Sequence, residues 1–584
     1  MLSKDEIRLI TILPALVDTM PIECDIDIFA LSSAPDYETL SYVWGPNTTS
    51  MSLKVAGRTI RISPTLHSAL SRLRLPHEKR VLWVDQLCID QQNLGEKAAQ
   101  VRMMRKIYTS CAQCVLWMGE INPSISLTAA EAAFQFLEYM GEISEVDDWR
   151  SIDLPAAVRE DRQVMIEAMD WIGVDYNPWW TRIWTVQEAT LPRKLTMQWG
   201  PLKLPWEVME KAAHAWVSVA LYDILSPEQI DILGHVLVHA VWLNVTRSSI
   251  DDLHTLIHRW RYRQATDIRD KIYGILGLCE PGCLPITELC NYSIPASEVF
   301  STLTLELIIH AGGLRPLTPY LRPNASKVTP NMPSWAIDLN SCGALDVPDS
   351  WFQMYSYYFY RADNGLHGLN IDGIRSQIGQ KSLSLSGVYV DTIVHVETGY
   401  KKATEHEVNF SGTESLLRKW YDVAIEGSAE AGHQISESQT SIETAQWLYP
   451  GCSYDRTEAF ARLILGEWIR STEHYPTRTP LEKDIDEARK VMNLQGSDVD
   501  RELRLTIYGM TENQNMFVTK LGLIGLGHMD VKVGDEVWVF RGGQMPFTIR
   551  SREPPATKST AVTGQPAYHF IGHCYVQGIM MGEV

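Results

Sequence analysis

Three short apolar runs alternate with two amphipathic stretches between residues 39 and 118, and this order restricts the fold more than any other feature of the sequence. One run, Arg80–Asp85, is almost continuously apolar and ends in an acid, which is typical of a buried strand in a parallel sheet. The strands predicted in this way are residues 39–44, 80–85 and 114–118. Because a helical stretch separates each strand from the next, a parallel α/β sheet is the simplest topology.

The two amphipathic stretches carry helix signals. Ser63 is a candidate N-cap, and Pro64 stands at the first helical position that follows it. The second helix is predicted over Glu96–Tyr108. The inward faces are predicted to hold Leu66, Ala69, Leu70 and Leu73 in the first helix, and Val101, Met104 and Tyr108 in the second.

The rest of the chain changes character twice. Residues 120–176 are predicted to be a helical insertion and residues 207–278 to form several further helices, whereas alternating strand patterns appear at Lys381–Gly387 and Glu536–Phe540. Between these two patterns, residues 403–447 are rich in acids and are predicted to form a solvated helical surface. We therefore predict an α/β domain at 1–205, its helical continuation at 206–330, and a β-rich module with an acidic helical insert at 331–584.

Composition excludes several classes of protein. The 584 residues are 45% hydrophobic and carry a formal charge of −19, which disfavours both a nucleic-acid partner and an anionic membrane surface. We therefore expect no nucleic acid and no membrane among the partners. The N-terminus lacks the basic start and unbroken apolar core of a secretory signal, and the ten scattered cysteines suit reduced thiols, so we expect a cytoplasmic protein.

Motifs for common cofactors and metals are incomplete. Leu521–Gly527 has its glycines in the wrong order for a dinucleotide fingerprint and is predicted to be a hairpin turn. Cys111 and Cys114 form a lone C-x-x-C pair, which is more typical of structural thiols than of a zinc site. The pair His235 and His239 lacks the glutamate of a zinc protease motif and is interpreted as core or surface histidine. We predict no metal site and no required cofactor.

The segment Asn177–Pro192 is the strongest candidate for a site in a chain that has 19 Trp against 12 Phe. Its first proline can start a helix and its last must end one. On such a helix Trp180, Trp184 and Glu188 are four residues apart and share one face. Burial beside two indoles would raise the pKa of the carboxyl, and the rings could stack a heterocycle. The alternative is an ordinary amphipathic helix whose tryptophans belong to the core and whose glutamate reaches solvent or an arginine.

Eight recognisable blocks of sequence are spread over nearly the whole chain. They are Tyr37–Gly45, Leu82–Gln91, Gln100–Tyr108, Val115–Gly119, Arg182–Glu188, Ala265–Leu278, Gly534–Gly543 and Tyr575–Glu583. In content, order and spacing they resemble the fungal heterokaryon-incompatibility (HET) domain family and the usual ending of its proteins.

The resemblance implies both a fold and a function. The family is associated with fungal self/non-self recognition and a cell-death response, and its domain is similar to the Toll/interleukin-1-receptor (TIR) fold, a parallel sheet wrapped by helices. Some TIR domains cleave NAD at the nicotinamide–ribose bond with a glutamate in a Trp-Cys-x-x-Glu pattern, and Trp184-Thr-Val-Gln-Glu188 is similar, with Thr185 in place of the cysteine. The resemblance therefore implies that Glu188 is the catalytic carboxylate, which stabilises the ribosyl cation and orients water. At the carboxyl edge of the sheet, the ligand-binding side chains would include Ser41, Trp44 and Asp85.

Three functions remain compatible with these residues. The first is an incompatibility or cell-death effector that hydrolyses or binds NAD or another nucleotide, with NAD as substrate rather than as cofactor. The second is a cyclase or pericyclase of secondary metabolism that acts on an apolar small molecule in an aromatic-lined cleft. The third is a non-catalytic interaction module, and self-association into a homo-oligomer stays open in all three. The site predicted for the first two comprises Glu188 as catalytic residue and Ser41, Trp44, Asp85, Trp180 and Trp184 as ligand-binding residues.

Overall fold

The computed structural model divides into two compact units, Met1–Pro295 and Ala296–Val584. The boundary falls inside the predicted helical continuation at 206–330, and the three predicted segments stay predictions. The structure describes residues 2–3, 5–17, 20–45, 50–146, 152–218, 221, 224–279, 290–318, 328–340, 360–364, 368–399, 415–425, 448–470, 477–492, 500–552 and 567–583.

A nine-stranded sheet forms the centre of the first unit. Its strands are β1 (Glu6–Ile12), β2 (Glu23–Ala30), β3 (Glu38–Ser41), β4 (Met51–Val55), β5 (Arg58–Ile62), β6 (Arg80–Trp83), β7 (Gln113–Trp117), β8 (Leu195–Trp199) and β9 (Leu202–Pro205). Across the sheet the strands follow the order β5-β4-β2-β1-β6-β3-β7-β8-β9.

The centre of this sheet is parallel. Strands β6, β3, β7 and β8 run in the same direction, and in β3 Thr39 pairs with Trp83 on one side and with Cys114 on the other. Antiparallel strands flank this centre on both sides. On one side β1 is antiparallel to both β2 and β6, and on the other β9 is antiparallel to β8. The predicted α/β fold class and the three predicted strands are confirmed, within a sheet that is mixed as a whole.

Helices connect the strands and pack beside the sheet. The α-helices are α1 (Pro64–Leu73), α2 (Asp85–Cys88), α3 (Leu94–Ser110), α4 (Leu127–Ile143), α5 (Ala156–Glu160), α6 (Arg162–Ile172), α7 (Thr185–Thr190), α8 (Trp206–Ser218), α9 (Pro227–Ser248), α10 (Leu253–Trp260) and α11 (Asp270–Leu276). Short 3-10 helices occupy Leu31–Ser33 and Pro178–Thr181. The described part of the predicted helical insertion therefore contains α4, α5 and α6.

The predicted start of α1 is confirmed in detail. The Ser63 hydroxyl accepts a hydrogen bond from the backbone N–H of Leu66 at 3.2 Å, and Pro64 is the first helical residue. In α3, Val101 is half-buried, whereas Met104 and Tyr108 are buried as predicted. The side chains that α1 buries in the core are Leu66, Ala69, Leu70 and Leu73.

A closed six-stranded barrel forms the centre of the second unit. Its strands are β10 (Gly387–Glu397), β13 (Gln514–Thr519), β14 (Ile524–His528), β15 (Glu536–Phe540), β16 (Phe547–Ser551) and β17 (Tyr568–Val576), and a separate pair is β11 (Ile469–Arg470) and β12 (Thr477–Arg478). Neighbours around the barrel follow the order β10-β13-β14-β17-β16-β15. The α-helices of this unit are Ala296–Ala311, Ile371–Arg375, residues 415–425, Arg456–Leu465, Glu482–Met492 and Arg501–Thr511.

The barrel confirms the β-rich module with a helical insert. The predicted strand Glu536–Phe540 is β15, and Leu521–Gly527 contains the predicted turn between β13 and β14. The strand predicted at Lys381–Gly387 is wrong except for its last residue, because β10 begins only at Gly387. Of the acidic stretch 403–447, residues 415–425 form a helix and the others lie outside the described residues.

The described helices do not include one that combines the length and the apolar character needed to cross a lipid bilayer. The cysteines among the described residues are free thiols, and seven of these eight are buried. Cys111 and Cys114 are among the seven, which agrees with their interpretation as structural thiols.

Candidate functional site

The carboxyl end of the central strand β3 carries a buried hydroxyl. Ser41 is the last residue of the strand and is fully buried. Its Oγ donates a hydrogen bond to Oε2 of Glu188 at 2.5 Å and accepts one from the indole Nε1 of Trp179 at 2.8 Å. The fold therefore connects the end of β3 directly to the glutamate that the sequence singles out.

The segment that carries this glutamate is not one helix. A 3-10 turn at Pro178–Thr181 ends at Arg182, which has an extended backbone (φ −79°, ψ 135°), and α7 begins at Thr185. Gln264 causes the break, because its carbonyl accepts from the N–H of Ile183 at 2.9 Å and its own N–H donates to the carbonyl of Thr181. The predicted continuous helix over 178–192 is thus wrong, since hydrogen bonds to a distant segment replace those within the helix.

A buried arginine spans the two sides of this break. Nη1 of Arg263 lies 3.4 Å from the carbonyl oxygen of Trp179 and 3.3 Å from Oγ1 of Thr185. The Thr185 hydroxyl in turn donates to the carbonyl groups of Trp179 and Arg182. These contacts hold the turn and the start of α7 in a fixed relative orientation. In this orientation the side chain of Glu188 points toward the end of β3.

The break also separates the three residues that were predicted to share one helix face. Trp180 is fully buried and donates from Nε1 to the carbonyl oxygen of Ile172 at 2.6 Å. Trp184 is half-buried and donates from Nε1 to Oδ2 of Asp270 at 3.2 Å. Each of the three side chains therefore has a different partner, and Trp180 takes the position of a core residue.

A second carboxyl lies at the end of the neighbouring strand β6. Asp85 opens the short helix α2, two residues after β6. Its Oδ2 accepts from the indole Nε1 of Trp44 at 2.8 Å, and its Oδ1 accepts from the backbone N–H of Gln86 at 2.7 Å. The structure thus joins Ser41 to Glu188 and Trp44 to Asp85, as expected at the carboxyl edge of parallel strands.

Electrostatics distinguish Glu188 from an ordinary surface carboxyl. It is 5% exposed, and its pKa is raised from the ordinary 4.5 to about 7, chiefly by burial and also by the charge of Asp85. The hydrogen bond from Ser41, the positive charge of Arg182 and the nearby hydroxyl of Tyr108 lower the pKa and so act in the opposite direction. Burial likewise raises the pKa of Asp85, whereas Arg182 and the indole of Trp44 oppose that rise.

We call the Glu188 site the group formed by Ser41, Tyr42, Asp85, Tyr108, Trp179, Arg182 and Glu188. Sequence analysis did not assign Tyr42, Tyr108, Trp179 or Arg182 to a site. Trp179 and Arg182 belong to the same segment as Glu188, so proximity along the chain was an available signal. Tyr108 was predicted only as a core residue of α3, and its place beside Glu188 depends on the packing of α3 against α7.

This arrangement suits proton transfer near neutral pH. A carboxyl whose pKa is about 7 is present in both protonation states at pH 7 and can accept or donate a proton there. Glu188 itself is buried, but Trp44, Asp85, Arg182 and Trp184 are each partly exposed.

The described residues show one group with the spacing of metal ligands, and it lies outside this site. Asp170, Asp175 and His235 hold ligand atoms within 4.8 Å of one another, where the imidazole Nδ1 of His235 lies 3.3 Å from an oxygen of Asp170 and 3.1 Å from one of Asp175. Partly exposed groups of two carboxylates and a histidine are common in proteins that bind no metal there.

Comparison with known proteins covers both units. Residues 37–188 match the family model described as "Heterokaryon incompatibility protein (HET)", a span that runs from one residue before β3 to Glu188. Residues 381–584 match the model described as "Het-6 beta-barrel domain". The chain is 26% identical over 673 aligned positions to "Heterokaryon incompatibility protein 6, OR allele" from Neurospora crassa, which covers 99% of this chain and 94% of the relative. No solved structure matches the chain.

Proposed function

Because this chain belongs to the fungal heterokaryon incompatibility (HET) family, we propose that it is an effector of the incompatibility and cell-death type that hydrolyses NAD or a related nucleotide at the Glu188 site. The observation that carries this proposal is the buried Glu188 carboxyl, which is hydrogen-bonded to Ser41 at the carboxyl end of the central parallel strand. Ligands of open α/β sheets bind at this edge.

The reaction needs a carboxylate beside the ribose. When the bond between nicotinamide and C1′ of the ribose breaks, nicotinamide leaves with the bonding electron pair and the ribosyl group becomes a cation. The ionised Glu188 stabilises that cation and accepts a proton from the water that attacks C1′. The products are nicotinamide, ADP-ribose and one proton, and no redox partner takes part.

The neighbours of Glu188 prepare it for this role. The Ser41 hydroxyl donates to the carboxylate, and Trp179 donates to Ser41, so a chain of two hydrogen bonds orients the acid before substrate arrives. Since the carboxylate must be ionised, turnover should rise as pH increases through about 7.

Replacement of Glu188 tests the proposal. With purified full-length protein, we expect nicotinamide release from NAD to fall at least about 100-fold in Glu188→Gln, because the amide can neither stabilise the cation nor accept the proton. Glu131→Gln, at an exposed position of α4, should keep wild-type turnover. Nicotinamide is quantified by chromatography, and thermal unfolding verifies that both variants are folded.

Two results would refute the proposal. One is the absence of nicotinamide release by wild-type protein from both NAD and NADP over the pH range 6–8. The other is equal release by the Glu188→Gln and Glu131→Gln variants. Conversion of an apolar small molecule by the same preparation would instead favour the cyclase hypothesis.

We also place this activity in the cytoplasm. In support, the eight cysteines among the described residues are free thiols, as is usual in a reducing compartment. Microscopy of a fluorescently tagged chain in a fungal cell tests this location.

A further inference from the structure

Arg182 stands at the break between the 3-10 turn and α7, and its backbone is held on both sides. On each side of it, Thr181 and Ile183 hydrogen-bond to Gln264, and its own carbonyl accepts from the Thr185 hydroxyl at 2.7 Å. The backbone position of Arg182 is therefore set by the same contacts that direct Glu188 toward Ser41.

The guanidinium is half-buried and close to the acids of the site. Its charge lowers the pKa of Asp85 and of Glu188, and it also acts on the Tyr42 hydroxyl. Within the described part of the chain, however, the guanidinium forms neither a hydrogen bond nor an ion pair. Arg8, by contrast, donates two hydrogen bonds to the carboxylate of Glu96.

Both nearby carboxyls already have other donors. Asp85 accepts from the Trp44 indole and from the backbone of Gln86, and Glu188 accepts from Ser41. Both carboxyls thus accept hydrogen bonds from neutral groups, and the N–H donors of Arg182 remain available. A partly desolvated guanidinium without a fixed partner is suited to an incoming anion, since its planar fork of N–H groups fits two oxygens of a phosphate.

We propose that Arg182 binds a phosphate group of the substrate, so that the Glu188 site takes a phosphorylated nucleoside and not a neutral apolar molecule. The inference rests on the proposed function for the identity of the site, but it concerns binding and not bond cleavage. Arg182 would bind the phosphate of the substrate at its own half-buried position, and the ribose would lie toward Glu188.

Binding to the full-length protein tests the proposal without turnover. Isothermal titration with ADP-ribose compares the wild type with Arg182→Gln, Arg182→Lys and Arg193→Gln, the last at an exposed position just after α7. We expect Arg182→Gln to weaken ADP-ribose binding about 10-fold or more, as for loss of a hydrogen-bonded charge. Arg182→Lys should fall between this variant and the wild type, because lysine keeps the charge but not the planar fork. Arg193→Gln should bind as the wild type does.

Adenosine, which lacks phosphate, serves as the matched probe. It should bind more weakly than ADP-ribose, and with equal affinity to the wild type and to Arg182→Gln. Equal affinity of Arg182→Gln and Arg193→Gln for ADP-ribose would overturn the proposal, and so would tighter binding of adenosine than of ADP-ribose to the wild type. If Arg182→Gln fails to fold, Arg182→Lys decides, because unchanged ADP-ribose affinity in that variant contradicts bidentate phosphate binding.

The outcomes separate this inference from the proposed hydrolysis. Loss of ADP-ribose binding in Arg182→Gln, together with no nicotinamide release by the wild type, would support the phosphate subsite and reject hydrolysis. Nicotinamide release with a Michaelis constant that Arg182→Gln leaves unchanged would support hydrolysis and reject the subsite.

Discussion

At the scale of single residues, the site is defined by how each carboxyl is satisfied. Glu188 and Asp85 are separated by 103 positions in the sequence but lie close enough for the charge of one to raise the pKa of the other. Hydrogen bonds from Ser41 and Trp44 hold them in place. Burial of an ionisable acid lowers the free energy of unfolding at pH values where the acid would be charged in water. Carboxyls with such raised pKa values are common at functional sites.

This cost predicts a pH-dependent effect of Glu188→Gln on stability. Because the folded-state pKa is about 7 and the ordinary value is 4.5, the folded protein holds a proton that the unfolded chain releases between these values. Stability contributed by the protonated carboxyl is therefore lost as pH rises from about 4.5 to about 7. The amide of Glu188→Gln does not titrate, so the variant does not lose this stability as pH rises. Its free energy of unfolding, relative to that of the wild type, should therefore be about 3 kcal/mol higher at pH 8 than at pH 4.5.

Denaturant unfolding at the two pH values measures this difference. Glu131→Gln is the control, and its stability relative to wild type should be the same at both. If the Glu188→Gln variant also differs from wild type by the same amount at both pH values, Glu188 does not have a raised pKa.

At the scale of elements, the sequence predicts helices well where their contacts are local. Ser63, Pro64 and the apolar spacing of α1 act within a few residues, and the structure agrees with each. The segment 178–192 has an equally regular pattern, yet it breaks at Arg182, because Gln264 and Arg263 hydrogen-bond to its backbone from a distant part of the chain. The apolar periodicity of this segment therefore predicted a helix that does not form, because tertiary hydrogen bonds interrupt it.

The cap of α1 provides an element-scale prediction. Ser63→Ala should lower the free energy of unfolding by about 1 kcal/mol, because the N–H of Leu66 loses its acceptor at the start of the helix. Ser68→Ala is the matched control, since among the described residues the Ser68 hydroxyl donates only to the carbonyl of Thr65 in the same helix. That control should stay within about 0.5 kcal/mol of wild type. Denaturant unfolding gives both values, and equal effects of the two variants would contradict the capping role.

At the scale of the whole molecule, two compact units with separate cores account for the length of the chain. Many of the tryptophans that the sequence has in excess are core residues of these units, since Trp83, Trp117, Trp179 and Trp180 are fully buried. Trp44 and Trp184 are the partly exposed indoles beside the Glu188 site. These four buried tryptophans are therefore packing residues, and Trp44 and Trp184 are the indoles that remain partly exposed.

The formal charge of −19 predicts that the chain binds polyanions weakly. At about 0.15 M salt we expect a dissociation constant for duplex DNA weaker than about 10⁻⁴ M, because 71 acidic residues outnumber the 52 Lys and Arg residues that could neutralise phosphates. Fluorescence anisotropy with a labelled duplex measures this, and vesicles containing phosphatidylserine serve as the membrane counterpart. Saturable binding that weakens steeply with salt would show that a local basic surface outweighs the net charge.

The sequence alone determined the strand and helix order around β3, β6 and β7, the helix cap at Ser63, the β-rich second unit and the family resemblance. These features depend on side-chain periodicity and on motifs, which are local properties of the chain. Only the tertiary structure decided that Ser41 donates to Glu188 across 147 positions, that Trp180 is a core residue, and that Arg182 stands beside two carboxyls whose hydrogen bonds come from other groups. Such contacts depend on which distant backbone groups satisfy one another in the folded core, and no pattern within a single segment encodes that choice.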